Sequence, residues 1–173
     1  GALIGLYSVG SLNIGGEQGH FNTLSEAVEA YNANCGLTGP VVFALTDALY
    51  SSNESFPIVI NANSNASAVN TLTIKPHTAV NATITGNTVS SLIQLNAADY
   101  IIIDGSNNGT ASQNLSMSNT NTSGTGSIIW LNSVNASNGA TNNVVKNVIF
   151  SGSTATGLNC GIISSGKIWG SVA

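Results

Sequence analysis

The feature that most constrains the fold is a set of short isoleucine-containing runs that return at a nearly constant interval. The runs PIVI, SLIQL, SIIWL and GIISS align on Ile58, Ile93, Ile129 and Ile163, at intervals of 35, 36 and 34 residues. Each run is too short for a stable helix, and its β-branched residues favour strands. A constant return interval is typical of folds in which successive repeats stack on one another.

Two further columns of strand-like runs accompany the first. One contains VVF, TLTIK, YIIID and NVVKNVIF, and the other contains ATITG and NLSMSN, in which Met117 follows Ile84 by 33 residues. Three columns visited in the same order predict the three faces of an all-β, right-handed parallel β-helix, in which each coil adds about 4.8 Å. We expect Ile, Leu and Val ladders inside and Asn corners that bond adjacent coils. A β-sandwich would not require an equal return length.

The strand predictions follow from these runs and from the Asn/Ser/Gly/Thr clusters between them. A first edge strand is predicted at residues 6–9. If Ile102, in the strand predicted at residues 100–103, points inward, its replacement by aspartate should lower the free energy of unfolding by several kcal/mol. The later strands are predicted at residues 41–45, 56–60, 71–75, 82–85, 92–95, 100–103, 114–118, 127–131, 143–150 and 161–164.

One amphipathic helix is predicted at residues 23–34. Thr23 or Asn22 can cap it, Glu26 completes a capping box and Gly36 stops it. Its apolar stripe, with the i, i+3, i+4, i+7 spacing of a helix face, is Leu24, Ala27, Val28 and Tyr31. We expect this helix to cap the first coil, where the core and the strand edges would otherwise be open.

The chain is therefore expected to divide into an N-terminal strand, loop and capping helix at residues 1–40 and coils at residues 41–173 that continue beyond this chain. The order of helix, VVFALTDALY and FPIVI resembles the N-terminal cap of pectin-lyase-like β-helices. ADYIIIDGSNNGTASQNL, NTNTSG and GATNNVVKN resemble β-helix segments of large secreted surface proteins, often cargo of the bacterial type IX system. The resemblance covers about residues 20–165 and implies a fold rather than an activity.

Composition excludes several classes of function. Only 6% of residues are charged, arginine is absent and the net charge is −4, so phosphate binding and nucleic-acid partners are not expected. No apolar run reaches 18 residues, which argues against membrane insertion. Cys35 and Cys160 are expected to be separate buried thiols. His20 and His77 lack ligand-spaced neighbours, so we expect exposed polar side chains, no metal and no cofactor.

Catalysis on such a fold requires acids that converge with lysine or arginine. Asp99 is predicted to be a corner residue and Asp104, before Gly105, a turn residue; the catalytic alternative pairs Asp104 with Lys146 or Lys75. No catalytic residue is assigned, and the candidate ligand contacts are Asp104, Asn108 and Trp130.

Alternation places Trp130 on the opposite face from Ile129 and Leu131. Its ring is either exposed for stacking on a sugar or packed beneath a loop.

The function that this sequence favours is a non-catalytic structural or adhesion module of a secreted or cell-surface protein. Its partners would be a polysaccharide, or a neighbouring subunit at an uncapped C-terminal edge that carries Ile162, Ile163 and Ile168. The alternative is the N-terminal part of a carbohydrate-active enzyme whose catalytic coils lie elsewhere, so enzymatic activity stays an open question.

Overall fold

A computed structural model of the protein describes residues 2–33, 36–152 and 159–168. Fourteen strands and one helix lie in these ranges. In chain order they are β1 (Gly5–Val9), β2 (Gly19–Phe21), α1 (Leu24–Ala33), β3 (Val41–Leu45), β4 (Leu49–Tyr50), β5 (Ile58–Asn61), β6 (Leu72–Pro76), β7 (Ala82–Gly86), β8 (Ser91–Asn96), β9 (Ile101–Asp104), β10 (Leu115–Asn119), β11 (Gly126–Asn132), β12 (Val144–Lys146), β13 (Val148–Gly152) and β14 (Asn159–Ser165).

The strands form three parallel sheets. Sheet A has the order β12-β9-β6-β3-β1-β2, sheet B has β13-β10-β7-β4 and sheet C has β14-β11-β8-β5. From β3 onward the chain visits A, B and C in turn, four times, and each strand lies beside its counterpart in the preceding coil. The predicted parallel solenoid, mostly strand with a single short helix, is therefore confirmed.

The strand register confirms most of the repeat. Ile58 pairs with Ile93, Ile93 pairs with Ile129, and Met117 pairs with Ile84. The last position is wrong by one residue, because Ile129 pairs with Ile162 rather than with Ile163. Since side chains alternate along a strand, this shift means that Ile162, and not Ile163, lies on the same face as Ile129.

Two strand predictions require correction. Residues 143–150 do not form one strand, because Asn147 adopts a left-handed conformation (φ 57°) and turns the chain from β12 in sheet A to β13 in sheet B. Asn tolerates this conformation better than most residues. The first strand, β1, is not an edge strand, since it pairs with both β2 and β3. β2 and β4 were not predicted.

The core consists of the inward side chains of all three sheets, stacked coil upon coil. In β9, Ile101 and Ile103 are buried while Ile102 is half-buried on the outer face, so Ile102 does not point inward. The same alternation buries Leu72 and Ile74 in β6. The largest fully buried side chains are Tyr31, Phe43, Leu24, Leu37, Leu45, Ile60, Leu72, Ile74, Ile84, Leu92, Ile93 and Leu95.

Helix α1 has the predicted amphipathic character. Its four buried residues are those of the predicted stripe, and the helix contacts β2, β3 and β5. Thr23 Oγ1 accepts a hydrogen bond from the Glu26 amide at 3.0 Å, which confirms Thr23 as a cap. The Glu26 carboxylate reaches the Asn22 amide at 2.9 Å. The first residue of α1 is Leu24, and Asn34 lies outside the described residues.

One side chain of α1 completes the edge of sheet C. Asn32 Nδ2 donates to the Val59 carbonyl at 2.7 Å, and Asn32 Oδ1 accepts from the Asn61 amide at 2.9 Å. A residue in a parallel strand beside Ile60 would make the same two bonds with its backbone. The Asn32 amide group thus takes the place of one residue of a missing strand next to β5.

Asparagine side chains connect successive coils at the corners, as predicted. Asn96 Nδ2 donates to Asn61 Oδ1 at 2.8 Å, and Asn114 Nδ2 donates to Asn81 Oδ1 at 2.7 Å. Cys160 is a free thiol, as predicted, but it is half-buried rather than buried. Cys35 lies outside the described residues. No helix in the described ranges is long and apolar enough to cross a membrane.

Candidate functional site

Asp104 ends β9 at the corner between sheets A and B. One carboxylate oxygen, Oδ1, accepts hydrogen bonds from the Ser106 amide at 3.0 Å and from Asn147 Nδ2 at 2.9 Å. The other, Oδ2, lies 3.3 Å from Lys146 Nζ, one coil further along. Both oxygens therefore hold the turn and the next coil, as the turn interpretation of Asp104-Gly105 predicted.

The electrostatics of Asp104 suit this structural role. Burial raises the pKa of the carboxyl, but the hydrogen bonds from Asn147 and the Ser106 amide, together with Lys146, outweigh it and lower the pKa below its ordinary value. A general acid at neutral pH requires a raised pKa. Asp104 is instead held as a carboxylate.

The structure agrees with the catalytic alternative in one respect, since it brings Lys146 into contact with Asp104. Lys146 is the register partner of Asp104, and its side chain is 53% exposed against 13% for Asp104. Lys75 follows Ile74, the register partner of Ile103, so it occupies the same column one coil earlier. Asp104 and Lys146 form an ion pair between coils.

Asn108 organises the loop that follows Asp104. Its Oδ1 lies 3.0 Å from Ser106 Oγ and 2.9 Å from Ser112 Oγ, and it accepts from the amide and hydroxyl of Thr110 at 3.1 and 2.7 Å. Four donors on one oxygen occupy its acceptor capacity. Asp104 and Asn108 are therefore linked through Ser106, and the Asn108 carbonyl holds the loop.

Trp130 lies on a different face of the same coil. The residue is only 6% exposed, and its Nε1 donates to Ser165 Oγ at 2.9 Å. Ile129 is buried and pairs with Ile93, as the predicted alternation requires. Of the two alternatives for Trp130, the exposed ring is therefore wrong. Trp130 does not join Asp104 and Asn108 in one site.

The remaining acidic and histidine candidates also serve contacts between segments. Asp99 Oδ1 accepts from the Thr141 amide and hydroxyl, both at 2.6 Å, which confirms a corner residue. His77 Nε2 lies 3.2 Å from Glu17 Oε1, and the Glu17 side chain is only 6% exposed. His20 Nε2 lies 2.6 Å from the Gly10 carbonyl. Both histidines are half-buried, so the prediction that they are exposed is wrong.

The structure reveals a cleft that sequence reasoning missed. It has a volume of about 390 Å³, is open to solvent, and lies at the carboxyl ends of β4, β7 and β10. Its lining comes from three separate parts of the chain, so no sequence motif marks it. The lining residues are Ser51, Ser52, Glu54, Phe56, Thr85, Gly86, Asn87 and Thr120.

Two contacts define the walls of this cleft. A Cβ atom at Gly86 would lie 2.5 Å from Phe56 Cδ2, so the absence of a side chain there makes room for the ring. Glu54 Oε1 accepts from the Leu24 amide at 2.9 Å, and Oε2 accepts from the amide and hydroxyl of Ser25 at 2.8 and 2.5 Å. The Glu54 carboxylate thus caps the N-terminus of α1, where negative charge is stabilising.

The fold defines the class of this protein as a parallel β-solenoid. Comparison with protein-family models, curated proteins and solved structures gave no match. Among the described residues, no three His, Cys, Asp or Glu side chains gather closely enough to hold a metal ion.

Proposed function

We propose that this chain is a non-catalytic structural or adhesion module of a secreted or cell-surface protein. The observation that carries the proposal is the use of its acids. Of seven carboxylates, six accept hydrogen bonds or pair with a cation across turns, loops or coils, and Glu29 is the exception. Groups engaged in this way stabilise a rigid scaffold and are poorly placed to exchange protons with a substrate.

The finer architecture that we propose is a right-handed β-helix capped by α1, as in the pectin-lyase-like proteins that the sequence resembles. Crossovers between parallel strands are almost always right-handed, which supports the handedness. Tyr31 and the other buried residues of α1 support the cap, and so do the bonds from Asn32 to β5. An edge strand whose groups are bonded in this way is protected against pairing with another chain.

The neighbouring-subunit part of the proposal rests on the opposite end of the solenoid. In the described part of the chain, β12, β13 and β14 each pair with a single strand. Ile162 pairs with the buried Ile129, yet it is 46% exposed, and Val145 and Phe150 are only partly buried. Unpaired strands with inward apolar side chains suit a further coil, and we propose that a neighbouring subunit can supply it.

An activity assay tests the non-catalytic assignment. The protein is incubated with polygalacturonate, alginate and neutral polysaccharides, and new reducing ends and unsaturated products are measured. We expect no turnover above buffer. Turnover that Asp104→Asn or Lys146→Ala abolishes would overturn the proposal and favour the carbohydrate-active enzyme.

Sedimentation velocity over a range of concentrations tests the assembly edge. We expect self-association that Ile162→Asp weakens, because the new carboxylate would be buried at the contact. Val144→Asp is the matched control, since Val144 is exposed on the outer face of the same coil. A monomer at every concentration, or equal effects of the two substitutions, would remove the neighbouring subunit from the proposal.

A further inference from the structure

We propose that the cleft at the carboxyl ends of β4, β7 and β10 binds a linear, neutral polysaccharide. This inference rests on the proposed function and specifies its ligand class and site. It begins from Phe56, the one aromatic side chain in the lining, which packs over Gly86 and is only partly buried. An aromatic face offers an apolar surface on which the C–H face of a sugar ring can stack.

The other lining groups suit sugar hydroxyls. Ser51, Ser52 and Thr120 provide hydroxyls, and Asn87 provides an exposed amide that can donate and accept. A ligand site with an apolar contact and a few convergent polar groups is the usual pattern for small uncharged ligands. The lining thus combines stacking with hydrogen bonding.

The electrostatics of the cleft select against acidic polymers. None of its lining residues is a lysine or a histidine, and its one ionisable group is Glu54. Both oxygens of that carboxylate accept hydrogen bonds from the first turn of α1 and so face away from a ligand in the cleft. A polyuronate would therefore find no cation in the lining to offset the desolvation of its carboxylates, whereas a neutral glycan needs none.

The shape of the cleft suits a chain rather than a single sugar. It crosses the ends of three adjacent strands in sheet B, and two strand spacings amount to about 10 Å. Because the cleft is open to solvent, a chain longer than the cleft can extend beyond it.

The outer face of sheet B extends this polar surface. Thr83 pairs with Ser116, and Thr85, which lines the cleft, pairs with Ser118. All four side chains are half-buried on the outer face, and within the described part of the chain their hydroxyls make no hydrogen bond. A polymer that leaves the cleft at Thr85 thus meets a regular array of free hydroxyls.

Retardation in native gels that contain a polymer tests the site. The probes are hydroxyethyl cellulose and galactomannan as neutral polymers and polygalacturonate as the acidic one. The variants are Phe56→Leu, which removes the ring, and Asn87→Ala, which removes an exposed amide. Gln94→Ala is the control, because Gln94 lies on the outer face of sheet C and is half-exposed. Thermal melting of each variant shows whether it is folded.

We expect at least one neutral polymer, and not polygalacturonate, to retard the protein. Phe56→Leu should weaken the affinity by about two- to tenfold, Asn87→Ala by about fivefold, and Gln94→Ala not at all. Binding that neither variant weakens would overturn this site and leave polysaccharide binding intact. If no neutral polymer binds, both the site and that part of the proposed function fail. Equal retardation by polygalacturonate would overturn the selectivity.

Discussion

Replacement of Asn32 by alanine tests how the first coil protects its edge. The substitution removes the donor to the Val59 carbonyl and the acceptor for the Asn61 amide. Both backbone groups belong to β5, which pairs on its other side with β8. The variant should therefore expose a strand edge without disturbing the apolar stripe of α1.

The expected loss of stability follows from the two bonds. A hydrogen bond contributes about 0.5–1.5 kcal/mol net, and we use about 0.8 for each because water can reach this edge. Alanine is the better helix former by up to about 0.7 kcal/mol, which offsets part of the total of about 1.6. The net cost is about 1 kcal/mol, or about 2–4 °C in Tm for a chain of this size.

Thermal unfolding and amide exchange measure this prediction. The matched control is Glu29→Ala, because Glu29 lies one turn earlier on the exposed side of α1. We expect Asn32→Ala to lower Tm and to speed exchange of the Asn61 amide, while the control does neither. Equal Tm values for the two variants, with unchanged exchange at Asn61, would refute the strand-like role of Asn32.

Asn32→Asp provides a second, pH-dependent comparison. The carboxylate keeps an acceptor for the Asn61 amide but places a negative oxygen against the Val59 carbonyl, so the loss at neutral pH should exceed that of Asn32→Ala. Protonation restores a donor, and the difference between the two variants should shrink as the pH falls towards about 4. A difference that stays constant with pH would show that no donor is needed there.

Three further predictions follow from the coil geometry. Ile103→Asp should cost several kcal/mol in urea unfolding, because Ile103 is fully buried, whereas Ile102→Asp on the outer face should cost less than about 1; equal costs would contradict the assigned faces. Asp104→Asn should destabilise most above about pH 4 and less as the pH falls, since a lowered pKa stabilises the fold only while the carboxyl is ionised; a pH-independent loss would count against this. Gly105→Ala should lower Tm strongly, because its Cβ would lie 1.8 Å from the Asn147 carbonyl oxygen, and an unchanged Tm would show that this corner can move.

The coils could be predicted from the sequence because the inward positions are large, β-branched and regularly spaced. Each coil must bury the same set of positions, so the return interval itself carries the fold. The alignment was wrong by one residue at Ile163 because two consecutive isoleucines fit the inward position equally well in the sequence. Only the pairing of Ile162 with Ile129 shows which of the two points inward. The turn at Asn147 could have been predicted, because an asparagine, a residue type that accepts positive φ, lies there between two apolar runs.

Other elements could not be predicted because tertiary contacts create them. β2 has the sequence GHF and no apolar alternation, and it is a strand because it pairs with β1. β4 contains only two residues and depends on β7. The cleft could not be predicted for the same reason. Phe56, Thr85 and Thr120 lie far apart in the chain and meet only at the corner that follows β4, β7 and β10.

The distribution of charge links the solenoid to the function that we propose. A stacked fold places each corner next to the same corner of the adjacent coil, so Asp99 meets Thr141 and Asp104 meets Asn147 and Lys146. The Asp104–Lys146 ion pair carries no net charge, and salt screens the remaining exposed charges beyond about 10 Å. Under the function that we propose, recognition at the outer faces would depend on neutral hydroxyls, amides and an occasional aromatic ring. Among the described residues these groups converge at the cleft beside Phe56, which is why we propose a neutral glycan rather than an ionic ligand for this surface.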